Sequence, residues 1–171
     1  ELLAAPASWP EVLLAPYIER RLEELVADWP VNIAVRRSGG PRSEETTDAV
    51  FAEALGQPVR IKRRADGKPF ASDGRNISAA HALDLTLAVA GEAGVACDLE
   101  PVVARTEGAW HDLLGEERME LAGLISRERA ESRDIAATRL WTAAECLKKA
   151  GLPAEAPLVL TSATADGWVL L

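Results

Sequence analysis

Apolar residues alternate with polar ones in VNIAVR (31–36), VRIKRR (59–64) and VACDLE (95–100), while LTLAVA (85–90) is apolar almost throughout. Period two predicts strands at each of these places. Elsewhere the period changes. Ile18, Leu22, Leu25 and Val26 repeat at helical spacing between Pro16 and Pro30, which predicts one amphipathic helix. TDAVFAEALG (47–56) reads as a second helix, with Thr47 or Asp48 as N-cap and Gly56 as its stop. From about Trp110 to Ala150 the pattern is helical again, as two helices or one interrupted helix. Gly151 and Pro153 close it.

Turn chemistry joins these elements. ADGKP (65–69) carries an Asp-Gly turn, and Asp166-Gly167 sits between the strand-like runs LVLTS and WVLL. GEAG (91–94) separates LTLAVA from VACDLE, so those two runs are expected to form a hairpin with a four-residue loop. Antiparallel hairpins with helices to one side make an α+β class. The first thirty residues hold four prolines and the first helix. They are expected to be a helical lead-in or linker from a preceding domain, with the main domain at 31–171. The start at Glu1 is expected to mark a domain cut from a longer chain.

Composition narrows the class. With 171 residues, 48% of them apolar, the chain has enough material for one real core, of one or two lobes. No run approaches the roughly 20 apolar residues of a membrane span, and no signal-peptide pattern opens the chain; a cytoplasmic location is expected. The two cysteines, Cys97 and Cys146, sit in apolar patterns and are expected to be reduced thiols. Acids outnumber bases 27 to 19, for a net charge of −8, which disfavours nucleic acid as a partner. The charge is uneven, however. Residues 36–68 hold eight bases and five acids. A positive island in an acidic chain suits a small anionic ligand.

The candidate chemistry lies in two segments. On a strand, Asp98 and Glu100 share a face, about 7 Å apart, and two carboxylates so placed call for a positive partner. In WTAAECLKKAG (141–151), Trp141, Glu145 and Lys149 fall on one helical stripe. Taken singly, these are a solvated strand edge and an i,i+4 Glu–Lys pair. Taken together, Asp98, Glu100 and Glu145 supply oxygen ligands for a hard divalent cation, Mg²⁺ with Mn²⁺ open. The residues thus lead to a metal-dependent site for a phosphorylated small molecule.

The order of short motifs adds a family. GKP (67–69), SAAH (78–81), VACDLE (95–100) and WTAAECLKK (141–149) resemble, in order and rough spacing, the motifs of the 4′-phosphopantetheinyl transferases of the Sfp-like group. The resemblance covers residues 59–150. Within the group, the chain is similar to transferase domains fused to the C-terminal end of iterative, enediyne-type polyketide synthases, which make antibiotics. Ala80, Ala96 and Ala144 stand where the family prefers Ser, Gly and Lys.

The resemblance implies antiparallel hairpins and sheets packed with helices in two small lobes. It also implies an activity: coenzyme A as co-substrate gives its phosphopantetheine arm to a serine of an acyl carrier protein. Asp98, Glu100 and Glu145 would hold Mg²⁺, and Glu145 would also serve as base toward the serine. Lys149 would neutralise the pyrophosphate. Lys68, Ser78 and His81 would meet coenzyme A phosphates. Arg36, Arg37 and Arg42 are candidate contacts to the nucleotide, with a solvated loop as the alternative, and His111 is read as structural. Trimer and monomer both stay open. Two other activities fit the same residues, a metal-dependent phosphate-ester hydrolase and a non-catalytic docking module of a synthase.

Overall fold

The structure, a computed structural model, describes residues 2–4, 14–37, 43–92 and 94–171. It is a mixed α+β chain with small antiparallel sheets. It divides into two compact units. One takes Glu100–Lys148 and Leu152–Leu171, with the described residues of Glu1–Trp9. The other takes Lys149–Gly151 and the described residues of Pro10–Leu99.

The second unit is built on three antiparallel strands, β2 (Val31–Arg37), β5 (Asn76–Ala82) and β6 (Leu85–Gly91), in the order β2-β6-β5. All of β6 is buried, as its apolar run predicts for a central strand. The helix α1 (Leu14–Leu25) belongs to this unit. Its Glu19 carboxylate accepts the Val35 N–H at 2.9 Å, which covers a donor on the edge strand. The helix α2 (Glu44–Leu55) lays Val50, Phe51, Ala54 and Leu55 on the sheet against Ala34, Ala88 and Ala90. Small sheet residues let the helix approach closely. At Gly91 the approach is tighter still, since a Cβ there would lie 2.7 Å from the Pro30 carbonyl oxygen.

Two expectations change here. The cap of α2 is Ser43, not Thr47 or Asp48. Ser43 and Thr46 form a reciprocal capping box, and Thr47 is buried one turn inside. Gly56 is the left-handed stop as expected. The hairpin expected between 85–90 and 95–100 does not form. β6 turns back onto β5 through Leu83 and Asp84, with Leu83 at φ 53. Its other edge is taken by all seven residues of β2. A strand has two edges, and both are filled, so residues 94–100 run without a ladder. The Asp-Gly turn does join two short strands, β3 (Ile61–Arg63) and β4 (Pro69–Ala71), with Gly67 at φ 81.

In the first unit the long helical stretch is two helices, α3 (Glu107–Arg129) and α4 (Arg133–Ala150), whose last residues, Lys149 and Ala150, group with the other unit. Gly115 leaves helical geometry inside α3, and Ala130 at φ 50 ends it. Trp110, Met119, Ile125, Ala137, Leu140 and Val169 form the core. The strands β1 (Leu3–Ala4), β7 (Ser162–Ala163) and β8 (Val169–Leu170) pair in the order β1-β8-β7; the tail strands are shorter than LVLTS and WVLL suggest. Gly151 follows α4 at φ 80, and the Leu152 N–H returns to the Leu147 carbonyl at 2.9 Å, the close of a left-handed cap. Among the described residues no helix is long and apolar enough to cross a membrane.

Two polar contacts hold this unit. The Arg139 guanidinium, 4% exposed, makes a two-pronged pair with Glu131 at 2.9 and 2.8 Å and also donates to the Gly167 carbonyl. Removing Glu131 leaves that charge buried and uncompensated. Glu131→Ala should therefore cost about 3–5 kcal/mol in urea unfolding. The second contact is Asp134, whose carboxylate accepts the Trp110 indole N–H at 2.6 Å and the Arg105 backbone N–H at 3.1 Å. The indole hydrogen bond first, then the backbone one, holds the Asp134 carboxyl below its ordinary value of 3.8. A lowered carboxyl stabilises the fold fully above that ordinary value, and the contribution is lost as pH falls through the folded one. Below about pH 3.8 the wild type should thus lose stability more steeply than Asp134→Asn, followed by thermal unfolding at stepped pH.

Candidate functional site

Four separated segments meet within the unit built on β2, β5 and β6. The turn between β3 and β4 presents Lys68, whose backbone N–H is fixed by the Asp66 carboxylate at 3.0 Å. The Lys68 ammonium donates to the Lys149 carbonyl at 3.1 Å. That carbonyl lies in the last turn of α4, where backbone acceptors have no helical partner. β5 brings Ser78 and Ala79. Its Ser78 hydroxyl accepts the Cys97 N–H at 3.3 Å, and the Cys97 thiol lies 3.4 Å from the Ser78 carbonyl. These bonds moor residues 94–99 beside β5 in place of the missing ladder.

The end of α4 completes the group. The Lys149 ammonium donates to Asp98 Oδ1 at 2.6 Å, to the Cys97 carbonyl at 3.0 Å and to the Ala79 carbonyl at 3.4 Å. An ammonium has three N–H donors, and all three are engaged. The Asp98 side chain is 9% exposed, and its second oxygen, Oδ2, is buried without a hydrogen-bond partner. A buried carboxylate oxygen left open is costly, and it is the kind of hard anionic donor that Mg²⁺ takes. On that observation Asp98 fits a divalent cation as one ligand.

Asp98 and Glu100 do not form a crowded pair on a ladder. Asp98 turns inward onto Lys149, whereas Glu100 is exposed. The positive partner of Asp98 is thus an ammonium. The helical stripe is also redistributed. Glu145 pairs with Lys148 at 2.6 Å, three residues on, and not with Lys149. Lys148 also lies 5.2 Å from the Trp141 ring. Glu100 and Glu145 belong to the unit that holds most of α3 and α4, whereas Asp98 and Lys149 belong to the sheet unit. Among the described residues no group of three or more His, Cys, Asp or Glu is placed to hold a metal ion.

The remaining candidates are placed as follows. His81 faces Thr86 across the β5–β6 hairpin, with Nδ1 2.9 Å from the Thr86 hydroxyl and Nε2 3.5 Å from the Thr47 hydroxyl. Arg36 forks onto the Glu53 carboxylate, and the hydrogen bonds to Glu53 raise its already high pKa. Arg37 pairs with Asp84 at 2.6 Å, and Arg63 with Asp48 at 2.8 Å. The positive island is therefore partly neutralised by acids around it. Arg42 lies outside the described residues. Ala144, at the position where the family has Lys, is buried, so a long cationic side chain there would have to displace its neighbours.

Sequence reasoning missed the two backbone carbonyls at Ala79 and Cys97 and the hydroxyls of Thr47 and Thr86. Carbonyls carry no residue signature. The threonines could have been found only through the β5–β6 register, which the wrong hairpin concealed.

No family model matches the chain, and no match to a curated protein is found. The buried position of Ser78 gives it a structural role whatever else it does. Ser78→Ala leaves the Cys97 N–H unpaired and should cost about 1–3 kcal/mol in chemical denaturation.

Proposed function

We propose that this chain transfers the 4′-phosphopantetheine arm of coenzyme A to a serine hydroxyl of an acyl carrier protein. One observation supports it above the rest. Lys68, Ser78 with Ala79, Cys97 with Asp98, and Lys149 come from four motifs spread over more than eighty residues, and they touch one another in a single compact unit. Motifs that were only similar in letters would have no reason to converge.

In the transfer, the serine oxygen bonds to the β-phosphorus of coenzyme A. The bond from that phosphorus to the bridging oxygen breaks, and 3′,5′-adenosine bisphosphate leaves with the electron pair. The Asp98 carboxylate offers Oδ2 to Mg²⁺, and Glu100 and Glu145 are the further carboxylates that the resemblance assigns to it. When bound, the ion supplies Lewis-acid polarisation of the β-phosphate and neutralises charge on the leaving group. Glu145 takes the serine proton in this scheme. Lys68 holds the end of α4 through the Lys149 carbonyl and has two further N–H donors for phosphate. His81, aligned by Thr86, is the candidate contact to the 3′-phosphate. A carrier domain of a polyketide synthase is the proposed acceptor.

The test is the intact mass of an apo carrier protein incubated with this chain, coenzyme A and Mg²⁺. A phosphopantetheine adduct is expected. Asp98→Asn should slow its formation at least about a hundredfold, the scale of losing one preorganised electrostatic group. Release of the bisphosphate with no adduct on any of several carriers would instead mean hydrolysis.

A further inference from the structure

On the basis of the transferase reading, we infer that Lys149 is a built-in counter-charge that keeps Asp98 from binding a divalent cation by itself, so that the cation enters only as its complex with the diphosphate.

The first ground is occupancy. The Lys149 ammonium spends its three donors on Asp98 Oδ1, the Cys97 carbonyl and the Ala79 carbonyl. It fills an oxygen cage that would otherwise suit a cation, and it has no N–H left to grip a phosphate. The role that the resemblance assigns to Lys149, neutralising the pyrophosphate directly, does not agree with this geometry. Lys149 acts through Asp98 and is a positioning residue.

The second ground is charge. Asp98 brings one negative charge to this place. Lys149 cancels it at 2.6 Å, and Lys68 adds a positive charge on the Lys149 carbonyl. The three together favour an anion. A bare divalent cation approaching Asp98 Oδ2 meets an ammonium already bound to the same carboxylate, and repulsion over a few ångströms in a partly buried site weakens its binding at least about tenfold. Diphosphate carried on the cation reverses the balance, because its negative charge is what Lys68 and Lys149 attract. The open, buried Oδ2 then gains the partner it lacks.

Equilibrium dialysis against Mn²⁺ alone, and against Mn²⁺ with equimolar inorganic pyrophosphate, tests this without any carrier protein. Wild type should retain Mn²⁺ at least about ten times better with pyrophosphate than without. Lys149→Met should bind Mn²⁺ alone at least about tenfold more tightly than wild type. Adding Asp98→Asn to that variant should remove the gain, since the effect runs through Asp98. Circular dichroism checks that the variants fold, and the wild-type comparison stands even if they do not. Wild type that binds Mn²⁺ equally well with and without pyrophosphate, or binds it under neither condition, overturns the inference. So does a folded Lys149→Met with no gain. An inactive carrier assay beside a clear pyrophosphate dependence would sink the transferase reading and leave this one standing.

Discussion

A lysine in the last turn of a helix holds an aspartate that has no strand to hold it. Residues 94–100 run beside a sheet whose central strand has both edges filled. The segment therefore needs other anchors, and it has two. Ser78 and Cys97 exchange side-chain and backbone bonds, and Lys149 clasps Asp98 and two carbonyls. Lys68 closes the set from the other side by donating to the carbonyl of the same lysine. Each contact is modest taken alone. Together they fix the position of a buried carboxylate in a segment without regular hydrogen bonding, which is the arrangement a ligand-binding group requires.

The local patterns that could be read in the chain were those set by short-range rules. The helix stop at Gly56 and the left-handed turn at Gly67 follow from the conformational freedom of glycine. The buried run of β6 follows from apolar continuity, and the break between α3 and α4 falls within the long helical stretch. What could not be read was which strand lies next to which. Leu83, 92% exposed and at positive φ, makes the tight β5–β6 turn although leucine is a poor residue for it. GEAG carries a stronger turn signal and makes no hairpin. Pairing of β6 with β2, more than fifty residues earlier, decides the matter, and no local window contains it.

The same division holds at the candidate site. Asp98 and Lys149 were legible as chemistry-bearing residues because their types and spacing are unusual in the chain. Their pairing with each other was not, because helical spacing alone gives Lys149 to Glu145. The i,i+3 contact with Lys148 satisfies that glutamate equally well, since neighbours three and four residues on are both within reach. Once Lys148 takes Glu145, Lys149 is available to the carboxylate of a different segment. A repulsion expected between Asp98 and Glu100 is resolved in the same step, by direction: one carboxylate faces an ammonium and the other faces water.

A site that contains its own ammonium differs in kind from an open cluster of acids. Three unpaired carboxylates would bind a divalent cation strongly whether or not substrate were present, and would bind the wrong cation as readily. A carboxylate already neutralised by lysine, with one oxygen closed and one open, has little attraction for an ion that brings no anion with it. Affinity then depends on the ion and its phosphates arriving together, and the negative charge of the ligand becomes part of the recognition. Such a site wastes little binding on the metal alone, and what it gains is realised only in the complex that can react.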